Sequence, residues 1–209
     1  MKPTVDAWIR SDPKTAEWHD ETARRAKETA TTSTIRIGSE MICNNFRNPS
    51  LLAKMTSTLD HFSNGRFELG LGIGWDREEH HAYGMEFGSH RERCERLAES
   101  LQVIKKLWTE EKPSFNGRFY KLNEAYCSPK PLQRPHLPIM IGGSSNRLLR
   151  LVAEHGDSCH TFLPPDAYSK KLSTLEEYCR KLGRDYSKDD EDCGDNHREP
   201  CRVEARSSQ

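Results

Sequence analysis

The amino-acid sequence predicts an α/β protein with a parallel core. Two observations carry that prediction. Within Ile35 to Trp75 a β-branched run, a capped apolar helix and a second apolar run follow one another, which makes a βαβ unit with parallel strands. The same alternation returns from Ile139 to Leu182.

Residues 1–12 carry no usable pattern, and 1–30 form an N-terminal segment. Pro13 to Thr31 is a helix-forming run whose thin apolar face is Ala16, Ala23, Ala26 and Ala30. Ile35 to Ile42 reads as a short buried strand. Asn48 and Pro49 start a helix, since an Asn side chain caps free N–H groups and proline has none to lose. Leu52, Met55, Leu59 and Phe62 recur at helical spacing as its inward stripe. Asn64-Gly65 stops it, because both residues tolerate the left-handed conformation. Phe67 to Ile73 is the second strand. Asp76 to His90 is a charged loop or short helix. Arg91 to Glu110 is a long helix with Leu97, Leu101, Ile104 and Trp108 on one face.

Phe115 to Leu122 reads as a small hairpin turning at Asn116-Gly117. Pro129, Pro131, Pro135 and Pro138 make an extended connector. Ile139 to Ile141 is a strand ended by Gly142-Gly143-Ser144-Ser145. Asn146 to His155 is a helix with Leu148, Leu149 and Val152 inward. Asp157 to Phe162 is a strand. Pro165 to Leu182 is a helix with the stripe Tyr168, Leu172, Leu175, Cys179 and Leu182, closed by Gly183. Residues 185–209 are charged and nearly free of large apolar side chains. They bury too little surface to order themselves and are expected to form a loose, disordered tail.

Composition bounds the function. The chain has 209 residues, 34% hydrophobic and 31% charged, which is polar for a complete globular enzyme. Lys+Arg and Asp+Glu are 32 each, so no net field argues for nucleic acid or a membrane surface. No apolar run reaches the roughly 20 residues of a membrane span, and the N-terminus has no apolar signal core. A cytoplasmic protein acting on a small molecule is expected, with room for a homo-oligomer. The seven cysteines are irregularly spaced, which suits reduced thiols better than disulfides or a metal site.

Periodicity alone leaves an open doubly wound sheet and a closed barrel both standing. An open nucleotide-binding sheet lacks support, since no phosphate fingerprint follows the first strand. The residues Arg47-x-Pro49, Thr58-Leu59-Asp60, Ser63-x-Gly65-Arg66 and Leu69-Gly70-x-Gly72-x-Gly74-Trp75 resemble the bacterial luciferase-like oxidoreductase family. Phe115-x-Gly117-x-x-Tyr120, Pro129-Lys130-Pro131-x-Gln133-x-Pro135, Ile141-Gly142-Gly143 and Arg150-Leu151-Val152-Ala153 extend the match over residues 31–184. The resemblance implies a TIM (β/α)8 barrel, usually of about 250 residues. This chain supplies what look like barrel strands three to six, an incomplete barrel. It also implies a flavin-type cofactor: coenzyme F420 by the wording of the motifs, or FMN, with hydride transfer or oxygen activation respectively. A non-catalytic remnant serving at most in folding or dimerisation is the alternative.

Barrel sites lie at the C-terminal strand ends, and four clusters fall there. In the resembling family the first strand end bulges against the flavin ring, often through an unusual cis peptide, which places Glu40, Met41 and Cys43 beside it. Gly70-x-Gly72-x-Gly74-Trp75 is not the G-x-G-x-x-G fingerprint; alternating glycines admit a ring, or simply close packing. Gly74 and Trp75 suit a pocket wall, and Trp75 equally a core anchor. Glu78, Glu79, His80 and His81 are acid–base groups by type, and Glu78 matches a recurrent family position beside the cofactor. Gly142, Gly143, Ser144 and Ser145 open a helix, where free N–H groups and the dipole favour an anion; family members hold the flavin phosphate there. By the same resemblance His160 would lie near that phosphate or the ribityl chain; a buried structural histidine is the equal alternative. No metal ligand and no general acid or base is assigned.

Overall fold

A computed structural model describes residues 32–39 and 41–186, with the backbone of 187 and 201–204. The helix expected over Pro13 to Thr31, and Glu40, lie outside the described residues.

The elements alternate as the sequence predicts. Two short strands, β1 (Ile37–Gly38) and β2 (Ile42–Cys43), precede helix α1 (Pro49–Phe62) and strand β3 (Phe67–Gly72). Then come α2 (Arg77–Ala82), α3 (His90–Thr109), the hairpin β4 (Phe115–Asn116) and β5 (Lys121–Leu122), β6 (Ile139–Gly142), α4 (Asn146–His155), β7 (Ser158–His160) and α5 (Pro165–Leu182). Both β1 and β2 run parallel to β3, β3 to β6 and β6 to β7, as successive βα crossovers require. The order is that of consecutive βα units, the building unit of a (β/α) barrel.

Because the strands are parallel and helices cover them, β3 and β6 are buried. Leu69, Leu71, Ile139 and Ile141 have no exposed surface. Against them pack Leu97, Leu101, Ile104 and Leu107 of α3, Leu149 and Val152 of α4, and Leu175 and Cys179 of α5. Each such aliphatic side chain contributes about 1.5–3 kcal/mol on burial. The hairpin docks on α3 through Glu99, whose carboxylate accepts from the N–H groups of Arg118, Phe119 and Tyr120.

Two expectations need correction. Helix α1 does not bury Leu52, Met55, Leu59 and Phe62 as one stripe. It buries Pro49, Leu52, Ala53, Thr56, Ser57 and Asp60, while Met55 and Phe62 face outward. The polar members are held by specific bonds. Thr56 Oγ1 donates to the Leu52 carbonyl, Ser57 Oγ to the Pro129 carbonyl, and the Asp60 carboxylate accepts from Leu132 N, Gln133 N and Gln133 Nε2. Second, strands β8 (Asp185–Ser187) and β9 (Cys201–Glu204) occur where a loose tail was expected. They pair antiparallel, and β9 extends the sheet beside β7. Backbone pairing needs no apolar side chain, so composition missed it.

Candidate functional site

Parallel pairing brings the C-terminal ends of β2, β3, β6 and β7 to one end of the sheet. There the first strand is interrupted. Ile37 and Gly38 pair with Phe67 and Glu68, whereas Ile42 and Cys43 pair with Leu71 and Gly72. The register therefore slips by one residue between Gly38 and Ile42, a bulge of the kind that re-aims a side chain. Ser39 holds it: its N–H donates to the Glu68 carbonyl and its hydroxyl accepts from Gly70 N. A Cβ on Gly70 would strike the Ser39 carbonyl, so this glycine makes room for backbone, not for a ring. Met41 leaves the bulge at φ 43°, in the left-handed region. Its side chain lies over Gly142 of β6 and reaches toward Gly72. The first and third strand ends thus converge on one mouth.

Below Met41 sits a packed polar nest. His80 of α2 is fully buried between Phe46 and Phe87, with ring centroids 4.7 and 4.9 Å away. Its Nδ1 lies 2.6 Å from the Asp76 carbonyl, which can only accept, so Nδ1 carries the proton. Nε2 then faces the Cys43 thiol at 3.7 Å and Asn45 Nδ2 at 3.4 Å as acceptor. Burial pushes the Cys43 thiol pKa up, which keeps it protonated and fit to donate. Gly74, at φ 76°, must be glycine here: a Cβ would lie 2.7 Å from Cys43 Sγ and 3.0 Å from His80 Cε1. Arg93 closes the nest, stacked 3.7 Å over the Phe87 ring and donating to the Gly88 carbonyl. Asn44 Nδ2, Asn45 Oδ1 and Arg93 Nε are buried without a hydrogen-bond partner among the described residues.

On the far side, Gly142 pairs with His160, and Gly143 N donates to the His160 carbonyl at 2.9 Å. Gly143 adopts φ 125°, a conformation open to glycine. Ser145 caps α4 by accepting from Leu148 N. A ten-residue helix thus points its positive end at the mouth. A glycine turn before a helix N-terminus fits a phosphate, and a bulge with a re-aimed side chain fits the edge of a flat ring.

Met41, Cys43, Gly74, Gly142, Gly143, Ser144, Ser145 and His160 all come to this end. Trp75 is 83% exposed and is no core anchor. Glu78 points outward, and of the four acid–base candidates it is His80 that turns into the protein. Glu79 is half-buried, and burial raises its carboxyl pKa, with the Asp76 charge adding to the rise. Asn44, Asn45, Phe87 and Arg93 were missed. Arg93 left a signal: a charge on the side of α3 that also carries Leu97 and Leu101.

A family model described as luciferase-like monooxygenase matches residues 23–190. The chain belongs to the luciferase-like monooxygenase family. It is 42% identical over 97 residues to the FMNH2-dependent dimethylsulfone monooxygenase of Pseudomonas putida, covering 46% of this chain and 27% of that one. It is 33% identical over 145 residues to a pyrimidine monooxygenase of Methylorubrum extorquens, 66% of this chain and 39% of that one. The solved monooxygenase RslO1 of Streptomyces bottropensis superposes with a TM-score of 0.68 at 25% identity, over 78% of this chain and 50% of that one. The luciferase-like chain therefore spans half, or less, of the length of each of these relatives. Among its described residues no helix is long and apolar enough to cross a membrane.

Proposed function

We propose that this luciferase-like chain forms one wall of a flavin-type oxidoreductase site acting on a small organic substrate. The observation that carries the reading is the convergence of the Met41 bulge, Gly142 and the α4 N-terminus on a single mouth. Gly142, Gly143, Ser144 and Ser145 would hold the cofactor's phosphate, with His160 beside it. The bulge at 39–41 would back the ring, and Cys43, Gly74, Trp75 and Glu78 would border it. Bound there, the cofactor supplies two-electron hydride chemistry, and the protein supplies position and electrostatics.

Coenzyme F420 is supported by the wording of the family motifs taken together. FMN is supported by the 42% identity to an FMNH2-dependent relative. Titrating the purified chain with each cofactor, read by absorbance and fluorescence, separates them. Ser145→Asp is the control, since Asp caps a helix as well as Ser but adds a negative charge. It is expected to leave the melting temperature unchanged and to weaken binding about tenfold. A folded chain that binds neither cofactor overturns the proposal and leaves the non-catalytic remnant.

A further inference from the structure

His80 has one polar atom to spare. The ring has no exposed surface, Phe46 and Phe87 pack against it, and Nδ1 is spent on the Asp76 carbonyl. That leaves Nε2, a single lone pair. Two donors reach toward it, the Asn45 amide at 3.4 Å and the Cys43 thiol at 3.7 Å. For a nitrogen donor 3.4 Å is past the roughly 2.7–3.2 Å of an ordinary bond, whereas sulfur is larger, so the thiol is the better placed.

The thiol faces the mouth. Cys43 pairs with Gly72, and residues paired in register project to the same side of a sheet. A Cβ on Gly72 would meet Met41, so Cys43 and Met41 share one face. A thiol there stands beside the chemistry proposed for the site. Reduced flavin that meets oxygen yields hydrogen peroxide, and a thiolate attacks peroxide. The sulfur bonds one oxygen, the O–O bond breaks and hydroxide leaves, so the sulfur is oxidised to a sulfenic acid and the peroxide is reduced.

Where the thiol proton sits decides whether that happens. A free thiol gives up its proton near pH 8.5 and an imidazolium near 6.5, so the neutral pair outweighs the ion pair about a hundredfold before burial is counted. Burial raises the Cys43 pKa and Glu79 adds to the rise, while the Asn45 and Phe46 backbone and Arg93 pull it partly back. The imidazole therefore accepts a hydrogen bond from S–H and leaves the proton on sulfur.

We propose that His80 is a positioning residue that sheathes the Cys43 thiol, holding its S–H and so keeping the sulfur from oxidation by peroxide. The protective purpose rests on the flavin-type reading; the hydrogen bond does not. The test treats the full chain with hydrogen peroxide at pH 7 and follows sulfenic acid at Cys43 by dimedone capture and mass spectrometry. His80→Phe keeps an aromatic ring between Phe46 and Phe87 and removes the acceptor. Oxidation of Cys43 is expected to quicken about tenfold in this variant, while Cys127, another buried thiol, is unchanged. A slower reaction would make His80 an activating base and overturn the proposal, as would an equal rise at Cys127. If His80→Phe does not fold, the S–H stretching band of the unsubstituted chain, assigned by its loss in Cys43→Ala, carries the test. A lowered, hydrogen-bonded frequency is expected, and the frequency of an unbonded thiol overturns the proposal. Neither measurement involves a cofactor, so failure to bind FMN or F420 is read separately and removes the protective purpose alone.

Discussion

The two ends of the sheet are built on different terms. At the base, where β3 and β6 begin, polar groups are paired many times over. Asp60 accepts three N–H bonds, Gln133 Nε2 also donates to the Phe67 carbonyl, and the Asp157 carboxylate accepts from Ile139 N. Arg184 Nη1 donates to the carbonyls of Val152, Ala153 and Gly156. At the mouth, Asn44, Asn45 and Arg93 keep buried polar atoms without partners among the described residues. A saturated end adds stability; an end with spare hydrogen-bonding capacity is equipped to bind. The motif residues Asp60, Arg66 and Gln133 belong to the base, so much of what marks the family in this sequence is structural.

If that contrast is right, base substitutions unfold the chain and mouth substitutions do not. The largest effect is expected at Asp60. Asp60→Ala strands the N–H groups of Leu132 and Gln133 and the Gln133 amide in a buried place. A loss of about 3 kcal/mol is expected, read by urea denaturation. A loss below about 1 kcal/mol would break the contrast, because it would mean the connector finds other acceptors. Next is Arg184→Met, which keeps the packing of the stem but takes a donor from the carbonyls of Ala153 and Gly156, while Val152 keeps the Gly156 N–H. It should cost about 2 kcal/mol in the same measurement.

Acid should weaken the base by a smaller amount. The pKa values of His136 and His155 are both lowered, first by burial and then by the nearby Lys105 charge; Asp157 pulls His136 partly back. A histidine whose folded pKa is depressed binds fewer protons in the folded than in the unfolded chain. Its contribution is complete above the unfolded value near 6.5 and is lost as pH falls through that value toward the folded one. Melting temperature is therefore expected to drop between pH 7 and pH 5. His155→Gln should flatten part of that drop; an unchanged slope would remove His155 from the account.

How much of this was legible in the sequence depends on the distance over which each feature is decided. The limits of α1, α4 and α5 were readable because their signals are local: Asn48-Pro49, Ser145, Gly156 and Gly183 lie within a turn of the ends they set. The inward face of α1 was not readable. Ser57 and Asp60 tolerate burial only because partners 72 residues away meet them. The bulge between β1 and β2 depends on Ser39 meeting Gly70 across 31 residues. The nest depends on Cys43 meeting His80 across 37. That the C-terminal strand ends lie together was readable, because strand direction alone decides it. Which of Glu78, Glu79, His80 and His81 turns inward was not readable, since His80 is buried by Phe46 and Phe87 from outside its own segment.

The smallest stability effect, and the sharpest test of the contrast, is expected at Trp75. It follows a strand buried at every residue but Glu68, yet its own side chain is 83% exposed. Folding gains little from a ring left in water, so Trp75→Ala should change stability by no more than about 0.5 kcal/mol. If the ring borders the bound cofactor, the same substitution removes a flat contact that excludes water, and affinity should fall about tenfold, or 1.4 kcal/mol. The pair of measurements is decisive in a way that neither is alone. Loss of binding with an unchanged melt places Trp75 with the site. A fall in both would assign the ring a packing role and move it to the stabilising side of the comparison, while unchanged binding would take Trp75 out of the mouth's working surface.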